Sequence, residues 1–124
     1  MTDPHPNLAV LARLNPADMA GSADAFAPDV VFHYFNPHLP DLTGDYIGRE
    51  GVVAFFAKIG AKSKGTFTVT PQSIHPFGDE LVVTHTINTM TLNDDLDIST
   101  QVVVVWRIVD GLIREVWDIP SVFT

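Results

Sequence analysis

Residues 96–119 read LDISTQVVVVWRIV, then DG, then LIREVWDI. Val102 to Ile108 is apolar at nearly every position, the pattern of a strand covered on both faces, and this places it at the centre of a sheet. Asp110-Gly111 has the composition of a hairpin turn, so Leu112 to Ile119 should return antiparallel beside Leu96 to Val109. Upstream lie two more runs rich in β-branched and aromatic residues, Phe67 to Ile74 and Leu81 to Thr91. They are separated by the turn-prone Pro76-Phe-Gly-Asp and followed by Asn93-Asp-Asp. Four consecutive strands predict an antiparallel meander.

Before the meander, Val52, Phe55, Phe56 and Ile59 fall at i, i+3, i+4 and i+7, with Gly60 placed to cap the end, which predicts a helix. Val30 to Phe35, introduced by Pro28 and Asp29, predicts a first strand. Asn36 to Gly48, with its prolines and glycines, reads as a long ordered loop between the two. At the start, Leu8, Val10, Leu11 and Leu14 have helical spacing. Asn15, Pro16 and Asp18 look like the opening of a second helix running towards Phe26, weakened by Gly21 and Ser22. The expected class is α+β, a curved antiparallel sheet wrapped on about three helices with an internal pocket. One sheet face meets the helices and the other is free to meet a second subunit.

With 124 residues, the chain fits one domain spanning 1–124, since two cores would each be too small. A 46% hydrophobic and 18% charged composition is that of a globular chain. The absence of cysteine excludes disulfides and thiolate chemistry and suits a cytoplasmic setting. A net charge of −8, with the basic residues no denser than Lys58, Lys62 and Lys64, argues against a nucleic-acid partner. No apolar run is long enough for a membrane helix, and Met1 to Pro6 lacks the marks of a signal peptide.

Three segments carry a resemblance: APDVVFHY at Ala27 to Tyr34, YIGREGVVAFF at Tyr46 to Phe56 and VDGLIREVWDI at Val109 to Ile119. Together they resemble the SnoaL-like branch of the nuclear-transport-factor-2-like superfamily, which includes polyketide cyclases and ketosteroid isomerase. The resemblance implies a cone-shaped curved sheet on three helices, often homodimeric through the outer sheet face. It hosts isomerases, cyclases, dehydratases, epoxide hydrolases and plain binding modules, so the fold alone does not give the function.

The resemblance also implies a register in which Tyr34, Thr84, Thr86, Asn88, Val104, Trp106, Val116 and Asp118 point inward, with His85 and Arg107 on the other face. Tyr34 stands where ketosteroid isomerase has its catalytic base, and Val104 where that enzyme has its second acid and SnoaL-like cyclases a histidine. Steroid-type isomerisation is thereby disfavoured. Tyr34-Phe35-Asn36 resembles the water-holding pair of limonene-type epoxide hydrolases, but their arginine and aspartate partners fall on Thr86 and Asn88, so that likeness breaks.

Asp118 resembles the aspartate that SnoaL-like cyclases use as acid and base. Lying in an apolar strand, it should have a raised pKa suited to proton transfer, unless it caps a backbone group or pairs with Arg107 or Arg114. Tyr34 could donate to a substrate carbonyl or be an ordinary core aromatic. Asn88 is a candidate second donor, Trp106 and Phe56 are candidate walls, His33 a rim residue, and His85 a base if the register slips by one. The spacing of His33, His38, His75 and His85 does not form a metal site, and Gly44, Gly48 and Gly51 do not form a phosphate loop.

Two functions follow. One is a cofactor-independent isomerase, cyclase or dehydratase acting on a small apolar carbonyl compound by acid/base proton transfer, with Asp118 and Tyr34 catalytic. The other is a non-catalytic module of the same fold that binds an apolar ligand or dimerises.

Overall fold

The computed structural model describes residues 5–92 and 97–121. The turn expected at Asn93-Asp-Asp, the first residue of the strand expected from Leu96, and Met1 to Pro4 lie outside the described residues. Helix α1 spans Pro6–Ala12, where His5 accepts a hydrogen bond from the Asn7 backbone and proline fills the first helical turn. Helix α2 is only Met19–Ser22 and runs on into a 3-10 turn at Ala23–Ala25. It starts later than Asn15 because the Asn15 side chain accepts from the Ala17 N–H at 3.0 Å, closing a separate turn. Asp18 is the residue that caps α2, accepting from Gly21 N–H at 3.1 Å.

The strands are β1 Phe26–Tyr34, β2 Gly44–Ile47, β3 Thr68–Phe77, β4 Leu81–Thr91, β5 Asp97–Val109 and β6 Leu112–Pro120, with helix α3 at Gly48–Lys62 between β2 and β3. They form one sheet in the order β2-β1-β6-β5-β4-β3. The meander is antiparallel as expected, but β1 and β6 run parallel, so the sheet is mixed. The parallel pair arises because everything from β2 to β5 intervenes, and the meander brings the chain back beside β1 in the same direction. Strand β2 occupies part of the segment expected to be loop; its four residues pair antiparallel with Val31 to Tyr34.

Helix α3 continues past Gly60 to Lys62. The left-handed backbone that ends it is supplied by Lys64 (φ 54°) and Gly65 (φ 79°), with Gly65 N–H donating to Gly60 O at 2.9 Å. Val52, Phe55 and Ile59 are the buried face of α3. Phe55 packs on Phe32 of β1 at 4.9 Å and on Tyr34 at 4.8 Å between ring centroids. The concave face of the sheet is thereby covered, while the opposite face is open. Val103, on the run expected to be buried on both sides, is 39% exposed there.

Candidate functional site

Strand alternation sends every second residue of β1, β4, β5 and β6 to the concave side. The pairing aligns them: Thr84 faces Val104, Val104 faces Asp118, and Asp118 faces Tyr34. One row therefore crosses four strands with a hydroxyl at one end, a phenol at the other, and a carboxyl beside the phenol. Under the helices this row borders a cavity of about 490 Å³, walled by apolar side chains such as Leu8, Leu11, Phe32, Phe56, Ile59 and Trp106.

Asp118 carries the strongest electrostatic signature. Burial without a compensating charge pushes its carboxyl up from 3.8 to about 7. It pairs with neither of the arginines that might have held it. Arg107 binds Glu80 at 2.7 Å and lies over the Trp117 ring, and the nearest acid to Arg114 is Asp29 at 3.9 Å. Tyr34 is pushed up to about 12, chiefly by burial, with the nearby Asp118 charge adding to it and a hydrogen bond from Asn36 opposing it. The phenol thus keeps its proton across the whole range in which Asp118 titrates. A carboxyl near 7 beside a protonated phenol can exchange a proton with a bound molecule while the phenol steadies a developing oxyanion.

Part of the remaining polar lining is internally paired. Trp106 Nε1 donates to Thr84 Oγ1 at 2.9 Å, and Thr86 Oγ1 donates to Asn88 Oδ1 at 2.8 Å. Asn36 Nδ2 donates to the Tyr34 hydroxyl oxygen at 3.2 Å, and Asn36 is itself held by Thr43, whose Oγ1 accepts from the Asn36 backbone N–H at 2.9 Å.

Tyr34, Phe56, Thr86, Asn88, Val104, Trp106 and Asp118 all border the cavity. Val116 points inward but is sealed in the core beyond reach of the cavity. His85 faces the other side of the sheet, where it hydrogen-bonds Gln101, because no slip of register occurs in β4. His33 is also on the outer face, bridging Asp45 at 2.8 Å and Glu115 at 2.7 Å and stacked on Trp117 at 5.6 Å. Asn36 is a cavity residue that was not among the expected site residues. Its signal was its place two residues beyond Tyr34, on the same side of an extended chain. Among the described residues no group of three or more His, Asp or Glu side chains is placed to hold a metal ion.

The model of the family described as SnoaL-like domain matches residues 8–116. No curated protein matches the sequence at a significant level. Among solved structures, Bal32a from a soil-derived mobile gene cassette is similar at 20% identity, covering 94% of this chain and 89% of that one with a TM-score of 0.81. TerC, co-crystallized with polyporic acid, is similar at 20% identity over 94% and 92% of the two chains, TM-score 0.80. An NTF2-like protein of unknown function from Burkholderia pseudomallei matches at 22% identity over 95% and 90%, TM-score 0.79. At these identities the likeness is one of fold.

Proposed function

The chain belongs to the SnoaL-like domain family, and from that premise we propose that it binds a small apolar carbonyl compound in its cavity and moves a proton on it without a cofactor. The observation that carries this reading is the alignment of Asp118 and Tyr34 on adjacent strands at the wall of one apolar cavity.

In the proposed step the Asp118 carboxylate takes a proton from the carbon next to a carbonyl. The electron pair of that C–H bond becomes the enolate π bond, and the carbonyl oxygen gathers the negative charge. The Tyr34 hydroxyl, whose oxygen already accepts from Asn36, donates to that oxygen. Asp118 then returns the proton to the same or another carbon, or to a departing oxygen, which gives exchange, isomerisation, cyclisation or dehydration according to the substrate. The apolar walls exclude water, strengthening both interactions.

The test needs no knowledge of the natural substrate. Protein in deuterated buffer is mixed with 1-tetralone, and loss of the α-proton signal is followed by NMR. Asp118→Asn should slow exchange by at least about a hundredfold, as removal of a general base does, while tetralone binding measured by calorimetry stays. Exchange that survives the substitution removes the reading. The rate should rise with pH and level off above about 7, as Asp118 ionises.

A second reading, a non-catalytic module that sequesters a ligand or dimerises, draws support from the open sheet face, where Phe35 is 61% and Ile119 54% exposed. Binding of tetralone with no exchange at any pH would favour it.

A further inference from the structure

Asn36 lies two residues beyond Tyr34 and borders the same cavity. Its side-chain amide has one allowed orientation. The atom facing the His38 backbone N–H at 2.9 Å is the acceptor, since a peptide N–H only donates, so the atom facing the Tyr34 hydroxyl at 3.2 Å is the NH2 donor. The backbone around it is fixed as well. Thr43 Oγ1 accepts from the Asn36 N–H at 2.9 Å and donates to Asn36 O at 3.0 Å, and that carbonyl also accepts from the Leu39 N–H at 3.0 Å. Leu39 and Leu42, both buried, root this loop in the core.

A phenol hydroxyl lies in the plane of its ring, with one in-plane position for its hydrogen and the other for a lone pair that accepts. When Asn36 donates to one position, the hydrogen is left with the other. Thr43 precedes β2, which pairs with one edge of β1, whereas Asp118 lies on β6 at the opposite edge, level with Tyr34. The hydrogen bond also draws electron density from the phenol oxygen, so the remaining O–H is the stronger donor.

We infer that Asn36 is the positioning residue of this site: by donating to the Tyr34 oxygen it turns the phenol hydrogen away from the β2 edge, towards Asp118 and the bound carbonyl. This rests on the proposed function for the charge that the phenol meets. Asn36 acts through Tyr34 and itself neither takes nor gives a proton.

Exchange of the 1-tetralone α-protons, followed at saturating ligand and about pH 9, above the Asp118 titration, separates this role from a structural one. Asn36→Asp keeps the shape and the acceptor for His38 but sets a second acceptor against Tyr34, which draws the phenol hydrogen away from the substrate. Asn36→Leu removes both bonds and leaves that hydrogen free to take either position. The Asp variant should lose about a hundredfold, close to Tyr34→Phe and to the loss of an oxyanion donor, and the Leu variant less, although Leu should unfold at the lower temperature. The reverse order of rates is that of a structural role and overturns the inference. In the Tyr34→Phe background Asn36→Asp should have little further effect; a loss that persists there comes from the added charge and overturns the positioning role. NMR reads the hydrogen bond without ligand: one Asn36 side-chain amide proton should move upfield in Tyr34→Phe. An unchanged amide with exchange intact in the parent overturns the positioning role alone, whereas a parent that exchanges nothing overturns the proposed function and this role with it.

Discussion

At the scale of single residues, Asp118 and His33 both have their protonation altered by folding and lie on opposite faces of the sheet. The carboxyl of Asp118 is raised to about 7 from 3.8 by burial. The folded state therefore holds that proton more tightly than the unfolded chain, and stability falls as pH climbs from about 4 through 7. The difference amounts to something on the order of 4 kcal/mol across that window. Asp118→Asn removes the titration, so urea unfolding at pH 4 and pH 8 should show the variant gaining on the parent at the higher pH by about that amount. A parent and variant that change in parallel would mean the carboxyl is solvated.

His33 is raised as well: burial lowers it, but the hydrogen bonds to Glu115 and Asp45 outweigh that effect. Its contribution is present below the ordinary histidine value and is lost as pH rises through the raised one. His33→Gln should accordingly flatten the loss of stability above pH 6.5 and leave the lower limb to Asp118. The inward direction of Asp118 came from the register that the family resemblance implies, carried along LIREVWDI by strand alternation. The pairing of His33 with Asp45 and Glu115 was not legible, because it joins three strands whose mutual register no local pattern encodes.

At the scale of elements, what could be read was whatever is decided locally. The hairpin at Asp110-Gly111 is a case: both residues have positive φ, 54° and 77°, which Asp tolerates and Gly favours. A Cβ on Gly111 would meet nothing, so Gly111→Ala should cost only the backbone strain, about 1 kcal/mol. It should lower the unfolding midpoint modestly with ligand binding untouched, whereas Gly111→Asn should be nearly neutral. A larger loss would mean that the turn carries contacts beyond its backbone. Strand β2 could not be read, because its four residues lie among turn-formers and become a strand only by pairing with β1, whose own sequence does not announce a partner. The parallel pairing of β1 with β6 is hidden for the same reason, being settled by the packing of distant segments. The end of α3 was misplaced because Gly60 resembles a cap, yet the left-handed turn fell to Lys64 and Gly65.

At the scale of the whole molecule, the same strands serve two surfaces. Side chains 116, 118 and 120 of β6 turn to the concave side, and 115, 117 and 119 to the open one. The open face carries Val103 of β5, Ile119 of β6 and Phe35 just past the end of β1 in exposed positions, with the His33, Asp45, Glu115 and Arg107 charges beside them. An apolar patch ringed by charges of both signs suits association with a second copy of the chain despite a net charge of −8. We propose that two copies meet there. Light scattering should then report a dimer for the parent, and Ile119→Glu, which buries a charge in the patch of each partner, should give a monomer. A monomeric parent sinks the proposal. Because Ile119 points away from the cavity while its neighbour Asp118 points into it, the two substitutions separate the surfaces: Ile119→Glu should lose the dimer and keep α-proton exchange, and Asp118→Asn should keep the dimer and lose exchange. If the monomeric variant also loses exchange, the row of Thr84, Val104, Asp118 and Tyr34 holds its shape only while the face behind it is covered, and catalysis would then belong to the pair of chains and not to one.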